Sequence, residues 1–179
     1  PLSFLGALAL TRRLDSPSRL ALAALVIYGL GLVAVTIAPA MSGLVGTEVI
    51  RRMIAHGPGS EQWRTVMAYN FIINQAFAQI FVVASCTAIA LWSLRIVKSR
   101  ALSVAVGIYG LLLAPAVIIA MITGGLSLDV HGFGLIIFGQ AIWFIILGIL
   151  FWRSSDPISQ ETIAAPSRSS FTVPSNTTT

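Results

Sequence analysis

The sequence predicts an all-α protein, namely a polytopic transmembrane helix bundle with four complete spans plus a partial N-terminal helix. Hydrophobic residues make up 56% of the 179 residues, and charged residues only 9%. A soluble domain carries about a quarter charged residues, so this chain could not cover itself with polar surface. Apolar runs of about 20 residues, the length that crosses a bilayer core, recur along the chain.

The expected bundle covers residues 1–153. The N-terminal run of about ten apolar residues is too short to cross a bilayer, so it is either a partial helix, which we favour, or a short interfacial piece. Pro39, near the end of the first complete span, should loosen or stop the helix, and Pro115 should kink the third. The partial helix is expected at 2–10 and the complete spans at about 19–41, 66–94, 101–123 and 132–152.

The longest connection runs from 42 to 65. Within it, residues 47–56 are expected to form a short helix that lies in the membrane interface, with Glu48, Arg51 and Arg52 facing water. The sequence His56-Gly-Pro-Gly should end that helix sharply. After Asp156 the composition shifts to Ser, Thr and Pro, so the tail 154–179 is expected to be disordered.

Basic residues predict the orientation. Most of them fall on one side of the predicted spans, and the positive-inside rule makes that side cytoplasmic. They are Arg12, Arg13, Arg19, Arg95, Lys98, Arg100, Arg153 and Arg168, whereas Arg51, Arg52 and Arg64 fall on the other side. The tail is then cytoplasmic, and the predicted location is a cell membrane, the inner membrane of a bacterium. Trp63 and Tyr69 at the outer end, and Trp92 and Trp152 at the inner ends, fit interfacial aromatic belts.

Four amide side chains interrupt the span 66–94, namely Asn70, Asn74, Gln75 and Gln79. Each pair is four residues apart on one helix face, and the two pairs define two faces. As a functional site, they would line a solute path or a headgroup pocket. As structural groups, they would bond neighbouring helices, worth about 0.6 to 2 kcal/mol each. Gln140 on the last span is the expected partner of Gln75 or Gln79.

The outer loops hold both histidines. His56, Asp129, His131 and Glu48 offer imidazole and carboxylate groups of the kind that ligate metals. Their spacing lacks the i, i+4 pattern of a helical metal motif, and the alternative is a solvated cluster in which acids neutralise arginines. A transmembrane haem would need two facing axial ligands at a suitable depth, and neither histidine lies there. We therefore expect no metal and no cofactor.

Catalytic motifs are missing. The sequence contains no serine nucleophile elbow, Walker loop or zinc-protease motif. The single cysteine, Cys86, excludes an intrachain disulfide and reads as a small buried apolar residue. The net charge of +5 is explained by the basic clusters beside the spans, so nucleic acid is not an expected partner. No catalytic residue is assigned, and an enzyme is disfavoured.

The layout of the spans, with stretches such as HGFG (131–134) ahead of an apolar helix, resembles small bacterial multi-pass membrane proteins grouped as families of unknown function. The resemblance covers the hydrophobic part of the chain and brings no functional residues with it. The leading hypothesis is a non-enzymatic accessory or structural/interaction protein. Its partners would be the lipid bilayer and another membrane protein or a second copy. The alternatives are a small-solute permease or channel using the helix 66–94, and a metal- or haem-binding redox protein.

Overall fold

The computed structural model describes residues 2–14, 19–57, 61–100, 102–126 and 130–153, and nearly all of them are helical. The elements are α1 (Leu2–Arg13), α2 (Arg19–Ala40), a π-helical segment (Met41–Gly46), α3 (Thr47–His56), α4 (Glu61–Ser99), α5 (Val104–Ile122) and α6 (Val130–Arg153). Four helical runs are long and apolar enough to cross a membrane, and α1 is shorter. The predicted fold class is therefore confirmed. The predicted tail, 154–179, lies outside the described residues.

Helix α4 is the central element. It runs for 39 residues, from Glu61 to Ser99, and begins before the expected start at 66. No glycine or proline interrupts this stretch, so nothing in the sequence breaks the backbone hydrogen-bond ladder. At about 1.5 Å per residue the helix is roughly 58 Å long. That is about twice the thickness of a bilayer hydrocarbon core.

The run from α2 to α3 packs antiparallel along α4. A Cβ placed on Gly31 would lie 3.0 Å from the Cβ of Ala84, and the rings of Tyr28 and Trp92 are 5.6 Å apart. Small side chains on the buried face of α2 allow this close approach. The buried residues of α2 are Ala21, Ala24, Tyr28, Gly31, Ala34 and Ala38. The two runs form one long helical hairpin.

The connection expected at 42–65 is mostly helical, which corrects the prediction. Of the two effects expected of Pro39, stopping the helix is not observed: α2 continues through the π-helical segment into α3 without a turn. Gly46 follows Ala38 by eight residues. In a regular α-helix the two side chains would therefore point in directions about 80° apart around the helix axis. The wider π turn takes up the extra residue, so both residues are buried, and Gly46 lies beside Asn70 of α4. Consequently α3 continues the α2 run alongside α4, with Val49 buried.

The other helices surround only the C-terminal half of α4. On α5, Gly110 lies so close to α4 that an added Cβ would be 3.1 Å from Cγ2 of Ile89. From α6, Gln140 donates a hydrogen bond to Ser85. From α1, Thr11 accepts a hydrogen bond from the indole Nε1 of Trp92 at 3.2 Å.

Trp92 lies at the centre of the core. Its side chain is fully buried, and its ring lies 6.3 Å from the ring of Trp143 in a stacked arrangement. The prediction that Trp92 belongs to an interfacial aromatic belt is therefore wrong. Its indole N–H is satisfied by Thr11 inside the protein, so it does not need the headgroup region. Trp152, in contrast, is exposed at the end of α6.

The hairpin extends past this core. The two clusters of buried apolar residues include no α4 residue before Phe81 and no residue of the α2–α3 run after Val35. Phe133, near the start of α6, packs at the level of Phe81 with a ring separation of 6.2 Å. We call residues 38–57 and 61–79 the arm. The part of α4 within the arm has 19 residues, which corresponds to a length of about 28 Å.

Candidate functional site

The inside of the arm is a narrow contact between two helices. Gly46 and Val49 of the α2–α3 run and Asn70 of α4 are buried there. The Asn70 side chain is only 6% exposed, and a Cβ on Gly46 would lie 3.7 Å from its Nδ2 atom. The Oδ1 atom of Asn70 has no hydrogen-bond partner among the described protein groups. Buried acceptors are normally paired with a protein group or with ordered water.

The tip of the arm carries charges that pair with one another. Glu48 binds two arginines at once: its Oε2 lies 2.7 Å from Nη2 of Arg51, and its Oε1 lies 2.7 Å from Nε of Arg52. The Nη1 atom of Arg64 lies 3.4 Å from Oε1 of Glu61. The guanidinium of Arg52 also lies 5.2 Å from the centre of the Trp63 ring. These pairs are exposed to solvent, so they cancel charge at the tip more than they stabilise the fold.

The outer surface of the arm is strongly apolar between these charges. Phe71 is 61% exposed and Leu44 is 74% exposed, although both lie on helices that are otherwise paired. Large apolar side chains grouped in this way mark surfaces that contact another protein or lipid. The exposed apolar residues of the arm are Leu44, Val45, Ile50, Ile54, Val66, Tyr69, Phe71 and Ile72.

The amide residues singled out in the sequence are placed in different environments. Asn70 is buried between the helices of the arm, and Asn74 and Gln75 are half-buried further along α4. Gln79 is exposed at the edge of a groove between α2 and α4. Gln140 is buried on α6, inside the core. Four of the five amide residues therefore lie in the arm, and the fifth lies in the bundle.

Gln140 does not pair with Gln75 or Gln79, which was its expected role. Its Nε2 atom donates to Oγ of Ser85 at 2.8 Å and lies 3.6 Å from Sγ of Cys86. Ser85 in turn donates to the carbonyl of Val82, so the contact is a small buried polar network between α4 and α6. Sequence reasoning missed Ser85 because serine is common in membrane helices and only the packing of α6 gives it a partner. As arranged here, the network joins two helices.

The metal candidates are not assembled into a site by the described residues. Glu48 is bound by Arg51 and Arg52 on α3, and His131 is exposed at the start of α6. Asp129 and the side chain of His56 lie outside the described residues. Within the described part of the chain, no group of three or more His, Cys, Asp or Glu side chains is placed to hold a metal ion.

The open grooves of the structure lie on the outside of the helices. One groove of about 550 Å³ runs between α2 and α4, and it is lined by Ile27, Leu30, Ala76, Gln79, Ile80, Val83, Ala84 and Thr87. A second of about 610 Å³ lies beside α1, and it is lined by Phe4, Gly29, Leu32, Val33, Thr36 and Ile37. Both are almost entirely apolar, which suits an acyl chain or a helix better than a polar solute.

Comparison with known proteins adds no family to these observations. The chain matches no family model. It also matches no curated protein and no solved structure at a significant level. Any function must therefore be inferred from the bundle and the arm themselves.

Proposed function

We propose that this protein is a non-enzymatic membrane protein of the structural or interaction class, in which the bundle is the anchor and the arm is the surface that contacts a protein partner. One observation carries the proposal: the α2–α4 hairpin continues about 28 Å past the core and keeps large apolar side chains exposed there. Such a surface is unfavourable in water unless another molecule covers it.

The length of α5 supports this division into anchor and arm. Its 19 residues correspond to about 28 Å, close to the thickness of a hydrocarbon core of roughly 30 Å. With α5 and α6 crossing the bilayer, the part of α4 that packs beside them, from Phe81 onward, lies within the hydrocarbon core. The arm then lies beyond the hydrocarbon core, and Asn70, Asn74 and Gln75 lie with it.

The charges support an orientation with the arm outside and the bundle's other end in the cytoplasm. The ends of α1, α4 and α6 and the start of α2 meet at that end, as the cation–π contact of Arg13 with Phe151, at 5.1 Å, illustrates. Seven basic residues of the described part of the chain lie there. They are Arg12, Arg13, Arg19, Arg95, Lys98, Arg100 and Arg153. By the positive-inside rule this end faces the cytoplasm, in a bacterial cell the cytoplasmic side of the inner membrane.

The proposal is tested by photo-cross-linking in native membranes. A photoreactive amino acid replaces Phe71 on the arm, and in a matched control it replaces Leu112, which is 66% exposed on α5. We expect one discrete protein adduct from position 71 that disappears when Ile54→Glu is added, and lipid adducts alone from position 112. Equal adduct patterns at the two positions would reject the arm as an interaction surface.

A solute permease is the second candidate, in which the amide residues of α4 line the solute path. Both Asn74 and Gln79 are accessible on α4. In liposomes, Asn74→Leu and Gln79→Leu should abolish solute flux if this function is correct. Wild-type protein that gives no flux, or variants that leave flux unaltered, would rule against the permease.

A metal or haem protein is the third candidate, through His56 and His131. Metal analysis and the visible spectrum of protein purified in mild detergent separate it from the other two. Stoichiometric metal or a Soret band that is lost on changing both histidines would replace the interaction hypothesis with a redox function.

A further inference from the structure

The two ends of the molecule differ in net charge. At the tip of the arm, Glu48 and Glu61 pair with the arginines beside them. The opposite end, which we call the basic end, carries the seven basic residues named above. The sequence has six acidic residues, of which Glu48 and Glu61 lie in the arm and Asp129 directly precedes α6. The seven cations therefore exceed the three remaining acids by four, even if each of those acids neutralised one cation.

Helix packing gathers these cations from different helices. The end of α1 is fixed to α4 by the hydrogen bond that Nε1 of Trp92 donates to Oγ1 of Thr11 at 3.2 Å. It is also fixed to α6, because the guanidinium of Arg13 lies 5.1 Å from the centre of the Phe151 ring. Phe151 precedes Arg153 by two residues, so the ends of α1 and α6 present Arg13 and Arg153 at one junction. Both arginines are exposed.

The basic end lies where the apolar outer surface of the bundle ends. Trp152, next to Arg153, is 79% exposed, and Leu20, next to Arg19, is also exposed. An exposed tryptophan beside an arginine is typical of the headgroup level of a membrane, where the ring contacts acyl chains and the indole N–H contacts water. The anions present at that level are lipid phosphates. The tryptophan therefore favours a lipid over a soluble polyanion as the ligand of these cations.

We propose that the basic end binds the phosphate groups of anionic phospholipids, with Arg13 and Arg153 at the junction of α1 and α6 as the principal contacts. A guanidinium group donates two parallel hydrogen bonds to a phosphate, which the ammonium group of lysine does not. A zwitterionic headgroup carries its own cation, so only a lipid with a net negative charge attracts the excess positive charge. This site goes beyond the proposed function, since it needs the bundle in the membrane and does not involve the arm.

The number of cations sets the expected preference. Each basic residue close to an anionic membrane surface strengthens binding about fivefold. Arg13 and Arg153 together should therefore make the binding of an anionic lipid about 25-fold tighter than that of a zwitterionic lipid. Because both side chains are exposed, added salt should weaken this preference.

Native mass spectrometry of the protein in mild detergent counts the bound lipids. The protein is offered phosphatidylglycerol, which is anionic, or phosphatidylcholine, which is zwitterionic, at the same concentrations. We expect the wild type to prefer phosphatidylglycerol by at least about 25-fold, and Arg13→Gln/Arg153→Gln to bind that lipid about 25-fold more weakly. The matched control, Arg51→Gln/Arg64→Gln, removes the same charge at the tip of the arm, where both arginines are paired with glutamates. It should change the binding less than about twofold.

A second variant separates charge from geometry. Arg13→Lys/Arg153→Lys keeps both charges and loses the paired hydrogen bonds, so its affinity for phosphatidylglycerol should lie between those of the wild type and the glutamine variant. Helical circular dichroism checks that each variant is folded. If the glutamine variant does not fold, the preference of the wild type and the affinity of the lysine variant decide the question.

Three results would overturn the lipid site. The first is equal binding of the two lipids by the wild type. The second is an equal loss in the control at the arm, because net charge alone would then explain the binding. The third is displacement of phosphatidylglycerol by inorganic phosphate at the same concentration, which would indicate a site for free anions. None of these results depends on the photo-adduct at position 71, so the lipid site and the function of the arm can fail separately.

Discussion

Gly110 is the position where three helices meet, so a single added methyl group should markedly lower the free energy of unfolding. A Cβ placed there would overlap Oγ of Ser93, lie 2.7 Å from Nε1 of Trp143 and lie 3.1 Å from Cγ2 of Ile89. Ser93 and Trp143 are both fully buried. The Ser93 hydroxyl can rotate about χ1, but the Trp143 indole is held by its packed neighbours, so Gly110→Ala should push α5 away from α4 and α6.

The expected magnitude follows from two opposing terms. Overpacking a well-packed core costs about 1–3 kcal/mol. Alanine is favoured over glycine inside a helix by up to about 1 kcal/mol. Because an added Cβ at Gly110 would press on the buried Trp143 indole as well as on Ser93, we expect the upper part of the first range and a net loss of about 2 kcal/mol in the free energy of unfolding.

The matched control is Gly148→Ala on α6, where an added Cβ meets nothing within 4 Å. This variant should be as stable as the wild type or slightly more stable. Unfolding in mild detergent, titrated with a denaturing detergent and followed by circular dichroism, measures both. If Gly110→Ala and Gly148→Ala unfold at the same midpoint, the three-helix contact at Gly110 is refuted.

A second substitution identifies the overlapping group. The Oγ atom of Ser93 has no hydrogen-bond partner among the described groups, so Ser93→Ala alone should be neutral or mildly stabilising. Combined with Gly110→Ala, it should recover about 1 kcal/mol of the lost stability, since a smaller side chain then faces the new methyl group. Purely additive effects would show that Ser93 is not the group that is displaced.

Three further substitutions test individual contacts by the same unfolding measurement. Gln140→Leu removes the hydrogen bond to Ser85 and should cost about 0.6 to 2 kcal/mol. Thr11→Val removes the acceptor of the Trp92 indole while keeping the shape, so it should cost about 1–2 kcal/mol. Arg100→Gly should stabilise the protein by about 1 kcal/mol, because Arg100 ends α4 with a φ of 52°, which a side chain disfavours.

The controls for these substitutions come from the same helices or residue types. Gln75→Leu removes an amide that is only half-buried, and Thr36→Val removes a hydroxyl that bonds only within its own helix. Both should change the stability less than Gln140→Leu and Thr11→Val do. A larger effect in either control would contradict the assigned hydrogen bonds, and a loss of stability in Arg100→Gly would contradict the backbone strain.

The fold class followed from the sequence because hydropathy and charge act locally. In a chain with only 9% charged residues, an apolar run of about 20 residues has few alternatives to forming a membrane-spanning helix. The continuity of α2 into α3 could not be predicted, since Pro39 ends helices more often than it lies within them. Whether Trp92 faces lipid or the core depends on Thr11, which is distant in sequence and close only after folding.

The candidate site was predicted only in part. Asn70 and Asn74 drew attention because amides are costly in an apolar helix, and that signal is local. Their position on an arm depends on where α5 and α6 end relative to α4, which is a property of the assembled bundle. The partner of Gln140 likewise depends on the register of α6 against α4, and no periodicity within one helix can give it.

The π-helical segment has a consequence for the history of the chain. Removing one residue from Met41–Gly46 would leave seven steps between Ala38 and the residue now at Gly46, which is a regular heptad and needs no wide turn. The segment thus has the form of a one-residue insertion held within an otherwise regular hairpin. Elsewhere in the paired helices, an inserted or deleted residue would rotate everything beyond it by about 100° and expose the buried face. Length variants of this protein should therefore be found at this turn.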